Sequence, residues 1–256
     1  MLFSANICHP SLANNELSGP TVLTALARSL LSRENLRYSY RILLLPETIG
    51  AISYLSHNLK DLQSKVIAGW VVTCVGDPNG FSFVPSRLGD TLSDRVSKLV
   101  LSEIDPNFRT YEYLDRGSDE RQWCAPGVDL PVTSIMRSKY GTYPEYHTSL
   151  DNLDFVTSEG LGGSLETLLK CVEVIENNRK WKSNTLGEPQ LGRRGLYPNL
   201  STRETALKVR ELRNVWAYCD GEHDLIALSE RVKVPPSTVI DCLRILAGAD
   251  LIDEVV

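Results

Sequence analysis

Leu2-Phe3-Ser4-Ala5-Asn6-Ile7-Cys8-His9-Pro10-Ser11-Leu12-Ala13-Asn14-Asn15-Glu16-Leu17-Ser18-Gly19-Pro20 is the stretch from which the fold is read. An apolar run ends at a histidine, a short polar loop follows, and Ser18-Gly19-Pro20 opens a helical apolar pattern. That order is strand, loop, helix. In open α/β sheets ligands bind beyond the C-terminal ends of the strands. A histidine, two asparagines and a glutamate in such a loop are therefore candidates for metal binding or catalysis. Taken alone, His9 is better explained as a histidine hydrogen-bonded at a strand end.

Working outward, Val22, Leu23, Leu26, Leu30 and Leu31 predict a helix over 21–31. Apolar runs over 38–45, 67–75, 81–84, 108–114 and 128–136 predict further strands. Helices are expected over 51–59, from an Asp90 cap to Leu101, and over 157–181. Strands alternating with helices argue for a mostly parallel sheet covered on both faces, an α/β fold of three layers, α/β/α. Residues 183–202, rich in Gly, Pro, Asn and Arg, read as a linker. Beyond it the pattern is helices only, 203–218, 224–232 and 236–247, with a tight turn at Val234-Pro235-Pro236-Ser237 and a short apolar tail. This resembles a helix-turn-helix or winged-helix module. The expected domains are 1–182 and 203–256.

Composition narrows the function classes. The chain has 256 residues and a net charge of −5, which gives no general reason to bind nucleic acid or an anionic membrane. No segment approaches the ~20 apolar residues of a membrane span. The six cysteines are scattered without a C-x-x-C pair, and no basic-then-apolar leader is seen, so reduced thiols and a cytoplasmic location are expected. Asn199-Leu200-Ser201 matches the glycosylation sequon, a chance match without an export signal.

The polar groups at expected strand ends are His9 with Asn14, Asn15 and Glu16, then Glu47, Asp77, and His147 in Tyr146-His147-Thr148-Ser149-Leu150-Asp151-Asn152. Zinc takes histidine nitrogen and carboxylate oxygen, and a catalytic zinc leaves a position for water. A hydrolase of this kind also needs a base, commonly a glutamate. Arg137 and Tyr146 flank the same expected cleft and are candidates to fix a substrate carboxylate or carbonyl, with a structural role the more ordinary reading of each. Spacing alone does not join ligands more than a hundred residues apart.

Cys8-His9-Pro10-Ser11, Pro46-Glu47-Thr48-Ile49-Gly50, Gly117-Ser118-Asp119-Glu120-Arg121-Gln122-Trp123 and Tyr146 through Asp151 resemble, in order, the motifs of the zinc aminopeptidases. They resemble in particular a bacterial subgroup with an aminopeptidase-like domain and a C-terminal winged helix, often filed with polysaccharide biosynthesis. The resemblance implies an α/β/α enzyme with one or two zinc ions at the C-terminal edge of the sheet. It implies His9 and Asp77 as ligands of one metal position and His147 as a ligand of the other. Asn15 stands where an aspartate would bridge two metals. Glu47 matches the general base, and Thr48 replaces a glutamate ligand. The two departures imply a single, weaker metal, or Glu16 in place of the missing carboxylate, or Glu47 itself as a ligand. Asp119 and Glu120 fall on a loop that lies near substrate in the family, and Asp151 is expected to orient the His147 loop. His57 and His223, on expected helix ends, have no assigned role.

The function implied is a metal-dependent hydrolase of an amide or peptide bond acting on a small substrate. The alternative is a catalytically impaired binding or scaffold protein in a polysaccharide biosynthesis pathway. The family fold has strands before the point where this chain begins, so the chain is expected to lack an N-terminal part. An exposed sheet edge would then favour association as a homo-oligomer. From Leu200 onward seven basic residues face ten acidic ones, so the winged-helix module is expected to pack against protein rather than bind nucleic acid.

Overall fold

The computed structural model describes residues 1–9, 11–196 and 203–255, so Pro10 and the Asn199 sequon lie outside the described residues. The chain divides into two compact units, Met1–Val172 and Glu173–Val256.

The first unit is built on a six-stranded sheet. Its strands are β1 (Leu2–Asn6), β2 (Arg41–Leu45), β3 (Gly69–Val71), β4 (Ser82–Val84), β5 (Arg109–Thr110) and β6 (Val132–Met136), in the order β2-β1-β3-β6-β4-β5. The first four neighbours run parallel, with Asn6 opposite Leu45 and Val71 opposite Ser134. β4 runs antiparallel to β6 and parallel to β5. β1 is buried along its whole length, which is why it reads as a continuous apolar run rather than an alternation.

Alternate residues of β1 feed opposite faces. Leu2 packs with Leu43, Val71 and Val132 against Ala51, Leu55 and Leu62 of α2 (Ile49–Lys65) and Trp123 of α4 (Glu120–Trp123). Phe3 stacks on Trp70 at 5.1 Å, and the Trp70 indole donates to Ser97 Oγ of α3 (Leu92–Ile104) at 2.9 Å. That face also carries α1 (Ser18–Leu31), with Val22, Leu23, Leu26 and Leu30 buried, and α5 (Ser158–Glu176). The layers are α/β/α, as expected. Gly19 lets the first turn of α1 approach the Val72 carbonyl, where any Cβ would collide.

Several expected boundaries shift. Thr91, not Asp90, caps α3, because Asp94 three residues on completes a capping box with it. The segment 108–114 yields only Arg109–Thr110 as strand before a 3₁₀ turn at Tyr113–Asp115. The helix expected to reach Trp181 stops at Glu176, and Lys180–Ser183 forms β7 of the second unit.

That second unit is not helices only. β7, β8 (Asp220–Asp224) and β9 (Ile252–Glu254) form an antiparallel sheet in the order β8-β7-β9. It accompanies α6 (Arg203–Trp216), α7 (Leu225–Val232) and α8 (Pro236–Gly248). Asp224 caps α7 by accepting from Ala227 N at 2.8 Å, and Pro235-Pro236 starts α8. Leu225, Leu228, Val239, Leu243 and Leu246 are buried in this unit. His223 sits on β8 rather than at a helix end. No helix among the described residues is long and apolar enough to cross a membrane.

Candidate metal and catalytic site

The parallel strands β1, β2, β3 and β6 all end at one edge, which brings together the loops after Asn6, Leu45, Val71 and Met136. Beyond His9 the chain winds into a π-helical turn, Ala13–Leu17. Its open N–H groups are met by a distant carboxylate: Asn14 N and Asn15 N donate to Asp151 at 2.6 and 3.0 Å. Negative charge at the start of a helical turn is favourable. This tie, with Ala13 N donating to the Asp151 carbonyl at 3.0 Å, fastens the His147 loop to the His9 loop.

The turn aims Glu16 back at the strand end. Glu16 is 3% exposed. Its Oε2 accepts from Cys8 N at 2.9 Å, and its Oε1 lies 3.0 Å from His9 Nδ1. Cys8 Sγ lies 3.2 Å from the same Nδ1. Cys8, His9 and Glu16 thus present sulfur, nitrogen and oxygen donors all within 4.8 Å of one another, and no other such group exists among the described residues. Burial raises the Cys8 thiol pKa above its ordinary value, against the Glu47 N–H, and the charges of Glu16, Glu47 and Asp119 raise it further. The site is a negative field that favours a cation.

Glu47 joins this group from the loop after β2. Its N–H donates to Cys8 Sγ at 3.2 Å. No hydrogen bond holds its carboxylate among the described residues. Thr48, with φ 62 and ψ −64, centres a γ-turn closed by Ile49 N to Glu47 O at 2.6 Å. A β-branched residue at positive φ is strained, and such strain persists only where neighbours enforce it. Here Thr48 N donates to Asp119 Oδ1 at 2.7 Å, and Arg121 donates to Thr48 Oγ1 at 2.9 Å. Asp119 is fully buried. Burial pushes its carboxyl up to about 7, with Glu47 and Glu120 adding and the Thr48 N–H opposing. Its Oδ2 has no protein partner.

The other expected site residues divide. His147, at φ 56, places its ring 5.3 Å from that of His9 and stacks on Tyr146 at 3.9 Å. The Tyr146 phenol is raised to about 12, chiefly by burial and then by Cys74, Glu47 and Glu16, so it belongs to the same cluster. Asn15 keeps a buried side-chain oxygen without a partner, while its Nδ2 donates to Cys74 Sγ at 3.6 Å.

Asp77 does not join the cluster. It is fully buried, and its carboxylate accepts from Asn14 Nδ2 (3.0 Å), Ser138 N (3.0 Å), Ser138 Oγ (2.9 Å) and Asn79 N (3.1 Å). Arg137 is likewise engaged by the protein. Its three nitrogens donate to Asn79 O, Glu159 O, Gly160 O and Ser164 Oγ, and the guanidinium lies 4.0 Å above the Phe81 ring. Both residues brace the loop after β3. Sequence reasoning left Cys8 without a role. The signal available was its place beside His9, eight residues before a glutamate on a helical turn.

Residues 1–178 match the family described as a domain of unknown function (DUF4910), and residues 179–254 match a winged helix-turn-helix. The chain belongs to that family. It is an aminopeptidase-like domain followed by a winged helix. It is 42% identical over 198 residues to a Clostridium acetobutylicum protein provisionally named for polysaccharide biosynthesis and an aminopeptidase-like domain, covering 77% of this chain and 45% of that protein. A solved structure from the same organism, provisionally named a peptidase, superposes with a TM-score of 0.88 at 34% identity, over 99% of this chain and 57% of that one. The chain therefore spans about half the length of these relatives. A zinc aminopeptidase from Bacillus subtilis shares the fold, with a TM-score of 0.54 at 17% identity over 68% of this chain and 45% of that one.

Proposed function

We propose that the first unit is a metal-dependent hydrolase of amide or peptide bonds. The observation that carries this reading is the meeting of Cys8, His9 and Glu16 with Glu47 at the C-terminal edge of the sheet. The donor set suits a zinc-class cation, and the buried, unpartnered oxygen of Asn15 on the same turn is of the kind a cation or a bound donor satisfies. His9 and Glu16 would hold the ion. When bound, it would polarise a carbonyl and acidify water.

The protein's own groups divide the remaining work. Glu47, its carboxylate without a protein hydrogen bond, takes the proton from the attacking water and returns it to the leaving amine. Asp119 and Arg121 keep the strained turn behind Glu47 in one conformation, which fixes the direction of its carboxylate. His147 and Tyr146, stacked beside the His9 ring, supply ring faces and polar tips to a substrate carbonyl. The substrate is a small peptide or amide. An envelope-polysaccharide pathway is proposed from the name of the C. acetobutylicum relative alone.

Glu47→Gln tests the reading. Turnover of an amide substrate should fall by about 10²–10⁴-fold, the usual worth of a positioned base, with bound metal unchanged. Turnover that survives the substitution would exclude Glu47 as the base. A second reading, a binding or scaffold protein without turnover, is favoured by Thr48 in the place of a carboxylate ligand and by the engagement of Asp77 elsewhere.

A further inference from the structure

We propose that one zinc-class cation is held in this chain by three protein ligands, the Cys8 thiolate, His9 Nδ1 and the Glu16 carboxylate. This rests on the hydrolase reading and departs from the ligand set that the aminopeptidase fold implies. That set is not available here. Asp77 has four hydrogen bonds on its two oxygens, and Thr48 offers no carboxylate. Cys8, His9 and Glu16, by contrast, are already gathered.

Their spacing fits a shared ion. Zinc lies about 2.3 Å from sulfur and about 2.0–2.2 Å from nitrogen or oxygen, so tetrahedral ligand atoms stand roughly 3.4–3.6 Å apart. Here sulfur and nitrogen are 3.2 Å apart, and nitrogen and oxygen 3.0 Å. These two pairs need part by only a few tenths of an ångström, and the sulfur and oxygen lie within 4.8 Å of each other. The sulfur also receives the Glu47 N–H, and the second oxygen of Glu16 receives the Cys8 N–H. Donors of this kind orient ligating groups and stabilise their anionic forms. Binding releases the thiol proton to solvent. Thiolate and carboxylate together balance the charge of one dication.

The test uses the full chain, stripped of metal and reloaded with zinc or cobalt(II). One ion per chain is expected, and the cobalt form should show a thiolate-to-metal charge-transfer absorption that is lost in Cys8→Ser. Wild-type protein supplies an independent readout that needs no variant. Cys8 is the one thiol that is not buried, so iodoacetamide acting on the native fold reports on it. Zinc should slow its alkylation by at least about tenfold, since a coordinated thiolate is no longer a free nucleophile. One bound ion with no thiolate band and no protection would overturn the inference and leave the hydrolase reading standing. A chain that takes up no ion would overturn both.

Discussion

Replacing Asp77 by alanine separates a metal ligand from a structural brace. The side chain is fully buried and takes four hydrogen bonds, of which the one from Asn14 Nδ2 is buried throughout. Stranding that donor costs about 1–3 kcal/mol, and three charge-assisted bonds that water only partly replaces add up to about 1 kcal/mol each. The sum is about 1–6 kcal/mol, with a midpoint of about 3–4 kcal/mol. For a unit of this size each kcal/mol moves the melting temperature by about 2–4 °C, so Asp77→Ala should melt roughly 10 °C lower. Zinc stoichiometry, measured well below that temperature, should remain one per chain. Affinity should fall no more than the roughly 10–100-fold typical of residues that support ligands without touching metal. Circular dichroism melting beside zinc titration reads both quantities. An unchanged melting temperature with abolished metal binding would refute the reasoning and return Asp77 to the ligand set.

Two further outcomes follow from the same geometry. In metal-free protein, Asp119 has a carboxyl raised from 3.8 to about 7, so between those values the folded chain holds a proton that the unfolded chain has released. Stability from this group therefore falls as pH rises from about 4 to 7, by up to about 4 kcal/mol at about 1.4 kcal/mol per pH unit. Urea unfolding should show Asp119→Asn gaining on wild type across that window, and parallel curves would show that the carboxyl is ordinary. For the winged helix, Arg244 of α8 is paired with Asp241 at 3.0 Å, and from Leu200 onward ten acidic residues face seven basic ones. Fluorescence anisotropy of the full chain with labelled duplex DNA at low salt should show no saturable binding, whereas binding that weakens steeply with salt would contradict this.

The sheet was legible because β1, β2 and β6 are short apolar runs bounded by turn residues, and because α1 and α5 carry apolar residues at helical spacing. β8 was not. Asp220-Gly221-Glu222-His223-Asp224 has no apolar alternation, and its pairing with β7 is what makes it a strand. The helix expected to reach Trp181 was misjudged because Lys-Trp-Lys-Ser continues a plausible amphipathic face, while the chain leaves the helix at Glu176. At the site, His9, Glu47, His147 and Tyr146 were legible as strand-end residues, and Glu16 was one of three alternatives for the missing carboxylate. What brings Glu16 beside His9 involves a hydrogen bond between residues 137 positions apart, Asn14 N to Asp151, on the π-helical turn. No local pattern encodes such a contact.

The carboxylates at this edge of the sheet sort themselves by how completely their oxygens are satisfied. Asp77 accepts four bonds. Asp151 accepts two turn N–H groups, and Glu120 accepts from Gly117 N, Ser118 N, Tyr140 and Ser134. Burying a charge is tolerable when donors surround it, and these three serve to hold loops in place. Glu16, Glu47 and Asp119 are different. Glu16 accepts one backbone N–H and faces a histidine nitrogen, Glu47 has an unheld carboxylate, and Asp119 accepts one backbone N–H and keeps its other oxygen buried without a partner. A fold leaves such groups under-satisfied at a cost in stability, and the place where it does so is where a cation, a water or a substrate has something to bind. The same residue type thus serves as brace in one half of this loop cluster and as reactive group in the other. The division follows how many donors each carboxylate meets, and Asp77, with four, stands with the braces.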